Sequence, residues 1–181
     1  MNNRGRSVSD DYLDGLVARK ARYYQLELET LEKLPIYPGL DDFIFKLRAA
    51  QLKLAVVSGA VSSEIDQVLA RAKLKDFFSV IASGDDQVPS KPAPDIYLLA
   101  IERLNQRYPD LNLHPRECLA IEDTFSGIQA AKQAGIPVVG VANSYPFHML
   151  QRRANWTVDY LSDLELDRIQ QTCDRVMQKA G

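Results

Sequence analysis

The sequence predicts an α/β protein with a doubly wound parallel sheet of the Rossmann-like type. Two observations lead to this fold class. Short apolar runs rich in β-branched residues are typical of buried parallel strands, and they alternate with longer segments of helical periodicity. The predicted strands are residues 52–57, 77–82, 119–121 and 137–141, with an edge strand at 156–158.

The predicted helices follow from apolar residues spaced three or four apart. In residues 9–34 this spacing is interrupted by Gly15, which leaves one helix or two open. Pro35 and Pro38-Gly39 then break the chain, and Gly135 ends a later helix. The other predicted helices are 41–50, 62–72, 95–106, 126–134, 149–153 and 166–179.

Composition and charge restrict the functional classes. The 181 residues, 46% apolar and 25% charged, fit one soluble globular domain. The net charge of −2, with both signs mixed, argues against a nucleic-acid or membrane-surface partner. Residues 1–10 are polar and no apolar run could span a bilayer, so neither signal peptide nor membrane span is expected. Cys118 and Cys173 lack CxxC spacing, which indicates reduced thiols and a cytoplasmic location.

Candidate phosphate-binding groups follow the predicted strands. In a parallel α/β sheet, ligands bind outside the carboxyl ends of the strands. Ser58 and the backbone amides of Gly59 and Ala60 come directly after the first strand and can donate hydrogen bonds to phosphate oxygens. Lys91, just before the helix predicted at 95–106, supplies a positive charge for the same oxygens.

Candidate metal ligands end the third strand. Glu122 and Asp123 offer hard carboxylate oxygens, the ligands that Mg²⁺ prefers. Phosphoryl transfer depends mainly on charge neutralisation and positioning, and a cation beside a metal site provides both. The sequence therefore predicts a site for a small phosphorylated molecule and Mg²⁺.

Five segments resemble a known family. They are Pro38-Gly39-Leu40, Val56-Val57-Ser58-Gly59, Lys91-Pro92-Ala93-Pro94-Asp95-Ile96-Tyr97, Ile121-Glu122-Asp123-Thr124-Phe125-Ser126-Gly127 and Ala130-Ala131-Lys132-Gln133-Ala134-Gly135. With them, residues 34–164 resemble the haloacid dehalogenase-like superfamily, in its branch with a helical cap inserted early. The resemblance implies that residues 1–34 correspond to the end of a cap and residues 35–181 to the α/β core.

The same resemblance implies a role for each candidate. Ser58 and Lys91 correspond to catalytic residues, a phosphate-binding hydroxyl and a phosphate-orienting cation. Asp123, with Glu122 beside it, corresponds to the acid that binds Mg²⁺. The implied activity is a Mg²⁺-dependent phosphohydrolase of small phosphate esters, and phosphatase or phosphomutase ancestry stays open.

One expected motif has no match before Ser58. The family carries a strand ending in Asp-x-Asp-Gly, whose first Asp forms a phosphoaspartate and whose second transfers protons. Residues 11–15 only approach it, and they follow polar residues instead of an apolar strand. The resemblance places this motif's strand between the one ending at Ser58 and the one ending at Ile121. We therefore expect an incomplete core that closes its two inner strands together, borrows a strand from a partner or second copy, or is marginally stable.

Three functional hypotheses remain open from the sequence. The chain is an incomplete copy of an active phosphohydrolase, a pseudophosphatase that binds phosphate and metal without turnover, or a fragment that completes a partner chain. The coding DNA upstream distinguishes them: an in-frame strand ending in Asp-x-Asp-Gly favours the first. In each case we expect negligible activity from this polypeptide alone.

Overall fold

The computed structural model describes residues 9–171, and all strand pairs within them are parallel. The strands are β1 (Leu54–Val57), β2 (Phe78–Ala82), β3 (Ala120–Glu122), β4 (Val138–Val141) and β5 (Trp156–Val158). The helices are α1 (Asp10–Thr30), α2 (Leu40–Ala49), α3 (Ser62–Arg71), α4 (Asp95–Arg107), α5 (Phe125–Gln133), α6 (Phe147–Leu150) and α7, described over 166–171. None of these helices is long and apolar enough to span a membrane.

The described strands form two sheets. β1 pairs with β2, in the register Val57 opposite Ala82, and the second sheet has the order β3-β4-β5. Within residues 9–171, β1 and β3 do not pair with each other, so each has an edge without a strand neighbour. The closing together of the two inner strands, one of the alternatives expected from the sequence, is therefore not seen.

Helices cover both faces of the strands, as a doubly wound arrangement requires. Val138 packs into a core with Ile101 of α4 and Ile128 of α5. The next residue, Val139, packs on Phe43 of α2. Since successive side chains of a strand point to opposite faces, these two clusters lie on opposite sides of β4. The largest cluster includes residues of β2, β3 and β4, so both sheets share one apolar core.

The element boundaries agree closely with the sequence patterns. α1 is a single helix that includes Gly15, which answers the question the sequence left open. The predicted helix 149–153 is displaced: α6 begins at Phe147, directly after Pro146, and ends at Leu150, so it starts two residues and ends three residues earlier than predicted. The predicted edge strand at 156–158 is confirmed as β5. Only 166–171 of the last predicted helix falls within the described residues.

Candidate active site

A cleft of about 550 Å³ opens at the carboxyl ends of β1 and β3. Five of the six candidate residues line it: Ser58, Gly59, Lys91, Glu122 and Asp123. The sixth, Ala60, is not among the lining residues. Lys91 and Asp123 lie 33 and 65 positions after Ser58 in the chain. They meet Ser58 here because parallel strands place their carboxyl ends at the same edge of the sheet.

The turn after β1 is held by backbone hydrogen bonds. The Ser58 amide donates to the Ala82 carbonyl (2.9 Å), and the Ala60 amide donates to Ser58 Oγ (3.1 Å). The Gly84 amide donates to the Ala60 carbonyl (2.7 Å). A Cβ on Gly84 would overlap the Gly59 carbonyl oxygen, so only glycine allows this close approach. The turn is thus fixed against the loop that follows β2.

Lys91 connects the ends of the two sheets. Its Nζ donates to the Val57 carbonyl (3.1 Å) at the end of β1 and forms an ion pair with Glu122 Oε1 at the end of β3. The side chains of Lys91 and Glu122 are 17% and 8% exposed. Screening by water is weak at such a site, so the pair interacts strongly.

Both carboxylate oxygens of Glu122 have described partners. Tyr97 donates its hydroxyl to Oε1 (2.6 Å), and Thr124 donates its hydroxyl to Oε2 (3.2 Å). Burial, and then the Glu122 charge, raise the pKa of Tyr97, which keeps the phenol protonated as a donor. Gly127 lies against the carboxylate, where a Cβ would overlap it. The start of α5 therefore packs directly on Glu122.

Asp123 has a different environment. Asn143 Nδ2 (3.0 Å) and Ser144 Oγ (2.6 Å) both donate to its Oδ2. Its Oδ1 accepts no hydrogen bond from residues 9–171, and those residues contain no cluster of three or more metal-ligating side chains. Such a donor set fits Mg²⁺, which is commonly held by one or two carboxylates with water and substrate phosphate as the other ligands.

A further carboxylate lines the cleft that the sequence patterns did not single out. Asp86 forms a two-pronged ion pair with Arg103 of α4 (2.6 and 2.8 Å) and accepts the Ser83 amide (2.8 Å). The hydrogen bond from Arg103 lowers the pKa of Asp86. Asp86 lies in a loop and Arg103 lies 17 residues later on α4, so no local spacing in the sequence could have revealed the pair.

Fold and cleft together define an α/β protein with a polar cleft at the carboxyl ends of its parallel strands. The family model of haloacid dehalogenase-like hydrolases matches residues 4–135, and the chain belongs to that family. Its α/β core is the Rossmann-type fold with parallel sheets found in the family's solved structures.

Two of three similar proteins are named for phosphate-ester chemistry. It is 32% identical to Protein CbbY of Rhodobacter capsulatus over 88% of this chain and 68% of the relative. It is also 32% identical to a phosphoglycolate phosphatase of Shigella boydii, over 70% of this chain and 46% of the relative. The crystal structure of a β-phosphoglucomutase from Clostridium difficile superimposes with a TM-score of 0.77, at 25% identity over 97% of this chain and 73% of that one.

The chain matches only part of its relatives. It covers 68%, 51% and 38% of the lengths of the first three curated proteins that it resembles. Several of the homologues are named as phosphatases or phosphomutases of phosphate esters.

Proposed function

We propose that this chain forms part of a Mg²⁺-dependent phosphohydrolase site for small phosphate esters. The observation that carries the proposal is the meeting of Ser58, Lys91 and Asp123 around one cleft. A hydroxyl, a cation and a carboxylate at one strand edge supply what a phosphoryl group needs. The family and the phosphatase relatives support the same reaction class.

Each residue contributes in a distinct way. The Ser58 hydroxyl and the Gly59 amide donate hydrogen bonds to phosphate oxygens, and the Lys91 ammonium neutralises part of their charge. Asp123 Oδ1 carries no hydrogen bond from the described residues and is open to Mg²⁺, whereas both oxygens of Glu122 already accept hydrogen bonds from Lys91, Tyr97 or Thr124. The metal, when bound, supplies further charge neutralisation to the phosphoryl group.

We also propose that this polypeptide alone turns over substrate negligibly. Three carboxylates line the cleft among the described residues; two have both oxygens engaged, and the third is the proposed metal ligand. Asp86 pairs with Arg103, Glu122 pairs with Lys91, and Asp123 accepts from Asn143 and Ser144. A nucleophile must approach phosphorus unencumbered from a rigid support, and removing one commonly costs about 10⁴- to 10⁶-fold in rate.

The test separates binding from turnover. We expect no hydrolysis of p-nitrophenyl phosphate with Mg²⁺ above the level of Asp123→Ala, but binding of inorganic phosphate in a calorimetric titration that Ser58→Ala weakens. Lys132→Met, a change on exposed α5 surface outside the cleft, is the control for binding. Robust turnover that Asp123→Ala abolishes would refute the proposed inactivity. Phosphate binding equal in wild type and Ser58→Ala would refute the site.

A second candidate function is completion by a strand from a partner. The unpaired edges of β1 and β3 bound a space that we call the inter-sheet gap, lined by Val57 and Ile121. Ile121 is 38% exposed although it sits in the middle of β3, and β1 is only half-buried. An extended parallel segment from a second copy or another chain would pair both edges and cover Ile121.

Sedimentation distinguishes this candidate from a chain that functions alone. A homo-oligomer or a stable complex with an extended partner supports strand completion. A well-folded monomer across the measured concentration range rules out a strand borrowed from a second copy. If that monomer binds phosphate and Mg²⁺ without turnover, the result supports the hypothesis that the chain is a pseudophosphatase.

A further inference from the structure

We propose that Asn143 and Ser144, in the loop after β4, are positioning residues that orient the Asp123 carboxylate toward a bound divalent cation. The inference rests on the proposed function, because it concerns the metal acid of that site. Both residues lie outside the five segments that resemble the family. The loop would then be part of the metal site without contacting the metal.

The hydrogen-bond geometry assigns the two oxygens of Asp123 different tasks. Asn143 Nδ2 and Ser144 Oγ approach the same atom, Oδ2, at 3.0 and 2.6 Å. Two donors on one oxygen fix the plane of the carboxylate and the side-chain torsion angles. Oδ1 remains without a hydrogen bond from the described residues. Partners of this kind, which bind a ligating side chain and not the metal, set the direction in which the ligand points.

The loop is itself held beside β3 by an independent contact. Tyr145 stacks on Phe125 with ring centroids 3.9 Å apart and an angle of 19° between the ring planes. Arg153 lies over the Phe125 ring at 4.2 Å. Phe125 follows Asp123 by two residues and Tyr145 follows Ser144 directly, so the stack joins the two segments next to the hydrogen bonds. These contacts hold the loop after β4 beside the start of α5.

The charge of the donors matters as much as their direction. Asn143 and Ser144 are neutral, so they hold Asp123 while leaving its negative charge uncompensated. Glu122 is held by the Lys91 cation, which cancels its charge. Of the two adjacent carboxylates, Asp123 is therefore the one whose charge remains available to attract a cation.

The test measures metal affinity, not activity. Mn²⁺ binding is followed by electron paramagnetic resonance in the presence of inorganic phosphate for wild type, Asp123→Asn, Ser144→Ala and Asn143→Leu. We expect Ser144→Ala and Asn143→Leu each to weaken Mn²⁺ roughly 10- to 100-fold, and Ser144→Thr to restore the affinity by returning the hydroxyl. Ser162→Ala removes an exposed hydroxyl that donates to Asp163 and serves as the matched control.

The outcomes separate this inference from the proposed function. Equal Mn²⁺ affinity in wild type and Asp123→Asn would overturn the metal site itself, and the positioning role with it. Loss in Asp123→Asn but wild-type affinity in Ser144→Ala and Asn143→Leu would overturn the positioning role alone. Asn143 and Ser144 are exposed, so we expect the thermal unfolding of Ser144→Ala and Asn143→Leu to match that of wild type. A loss of Mn²⁺ affinity that Ser144→Thr does not restore would contradict the inference.

Discussion

Lys91 serves both the fold and the site at the scale of a single residue. It is the partner of a carboxylate that is 8% exposed, and it bonds to the end of a second strand. A buried ion pair adds little by itself, but the loss of one partner leaves the other charged and unpaired. The change of a single side chain should therefore affect stability and phosphate binding by separate routes.

We expect Lys91→Met to lower the free energy of unfolding by about 3 kcal/mol, because Glu122 keeps its charge without a cation. The double variant Lys91→Met/Glu122→Gln should recover part of this loss, while phosphate binding stays absent in both. Urea denaturation and phosphate titration measure the two effects. The control is Lys75→Met, which breaks an exposed pair with Asp66 and should cost below about 1 kcal/mol. A double variant no more stable than Lys91→Met would contradict this account.

Asp85 provides a pH-dependent prediction. Hydrogen bonds from the Ser83 hydroxyl, and then from Ser62, lower the pKa of Asp85 from 3.8 to about 2. A carboxyl with a depressed pKa in the folded state stabilises the fold above its unfolded pKa, and this stabilisation is lost as pH falls through the folded value. Its contribution should thus be complete above about pH 4 and decline toward pH 2.

The measurement compares wild type with Asp85→Asn by chemical denaturation at several pH values. We expect a constant difference in unfolding free energy from neutral pH to about pH 4, and a narrowing difference below it. Residual stability at low pH is sufficient for the comparison if osmolyte is added equally to both proteins. A difference that stays constant down to pH 2 would show that these hydrogen bonds do not favour the ionised carboxylate.

At the scale of elements, the sequence patterns predicted the strands better than the loops between them. Each predicted strand is present, because a β-branched apolar run needs burial on both faces wherever it lies. α6 starts earlier than the apolar spacing of 149–153 predicts because the fixed φ of Pro146, −63°, prepares the backbone for a helix that begins at the next residue. Tyr97 was within a recognised segment, but its hydrogen bond to Glu122 depends on how α4 packs against β3.

Contacts across loops could not be predicted, for a physical reason. Asn143 and Ser144 reach Asp123 from about twenty residues away, with no periodicity between them. The meeting of Lys91 with Glu122 was predictable, since Lys91 follows β2 and Glu122 ends β3, and the carboxyl ends of parallel strands share one edge. Sheet geometry thus gives the residues of the site, and loop conformation gives the partners that orient them.

Gly84 gives a prediction at this scale, because it lets one loop pack against another. A Cβ there would lie 2.9 Å from the Gly59 carbonyl carbon, so Gly84→Ala must displace the turn after β1. We expect a loss of about 1–3 kcal/mol in unfolding free energy and weaker phosphate binding. The matched control is Gly15→Ala, at a helical position with no atom within 4 Å, which should gain about 0.5–1 kcal/mol. Equal effects of the two substitutions would refute the steric argument.

At the scale of the whole molecule, the division into two sheets determines where the backbone is least protected. β4 is buried along its length and paired on both sides, whereas β1 and β3 each have one unpaired edge. Unpaired backbone groups at a sheet edge exchange with water or pair with another chain. The stability of this fold should therefore be lowest along the inter-sheet gap.

Hydrogen exchange tests this expectation for the isolated chain. We expect amides of β1 and β3 that point into the inter-sheet gap to exchange at least tenfold faster than those of β4, which is the internal control. A complementing strand should slow the first group and leave β4 unchanged. Exchange in β3 as slow as in β4, in a chain shown to be monomeric, would mean that the gap is closed in solution.

The double attachment of Lys91 has one more consequence. An ammonium group carries three protons, and two are directed to the Val57 carbonyl and Glu122. The third is left for an arriving anion, so phosphate can join the arrangement instead of displacing a member of it. A phosphate bound in the cleft would then strengthen the connection between the two sheets across the inter-sheet gap. The ligand would thus stabilise the part of the fold that binds it.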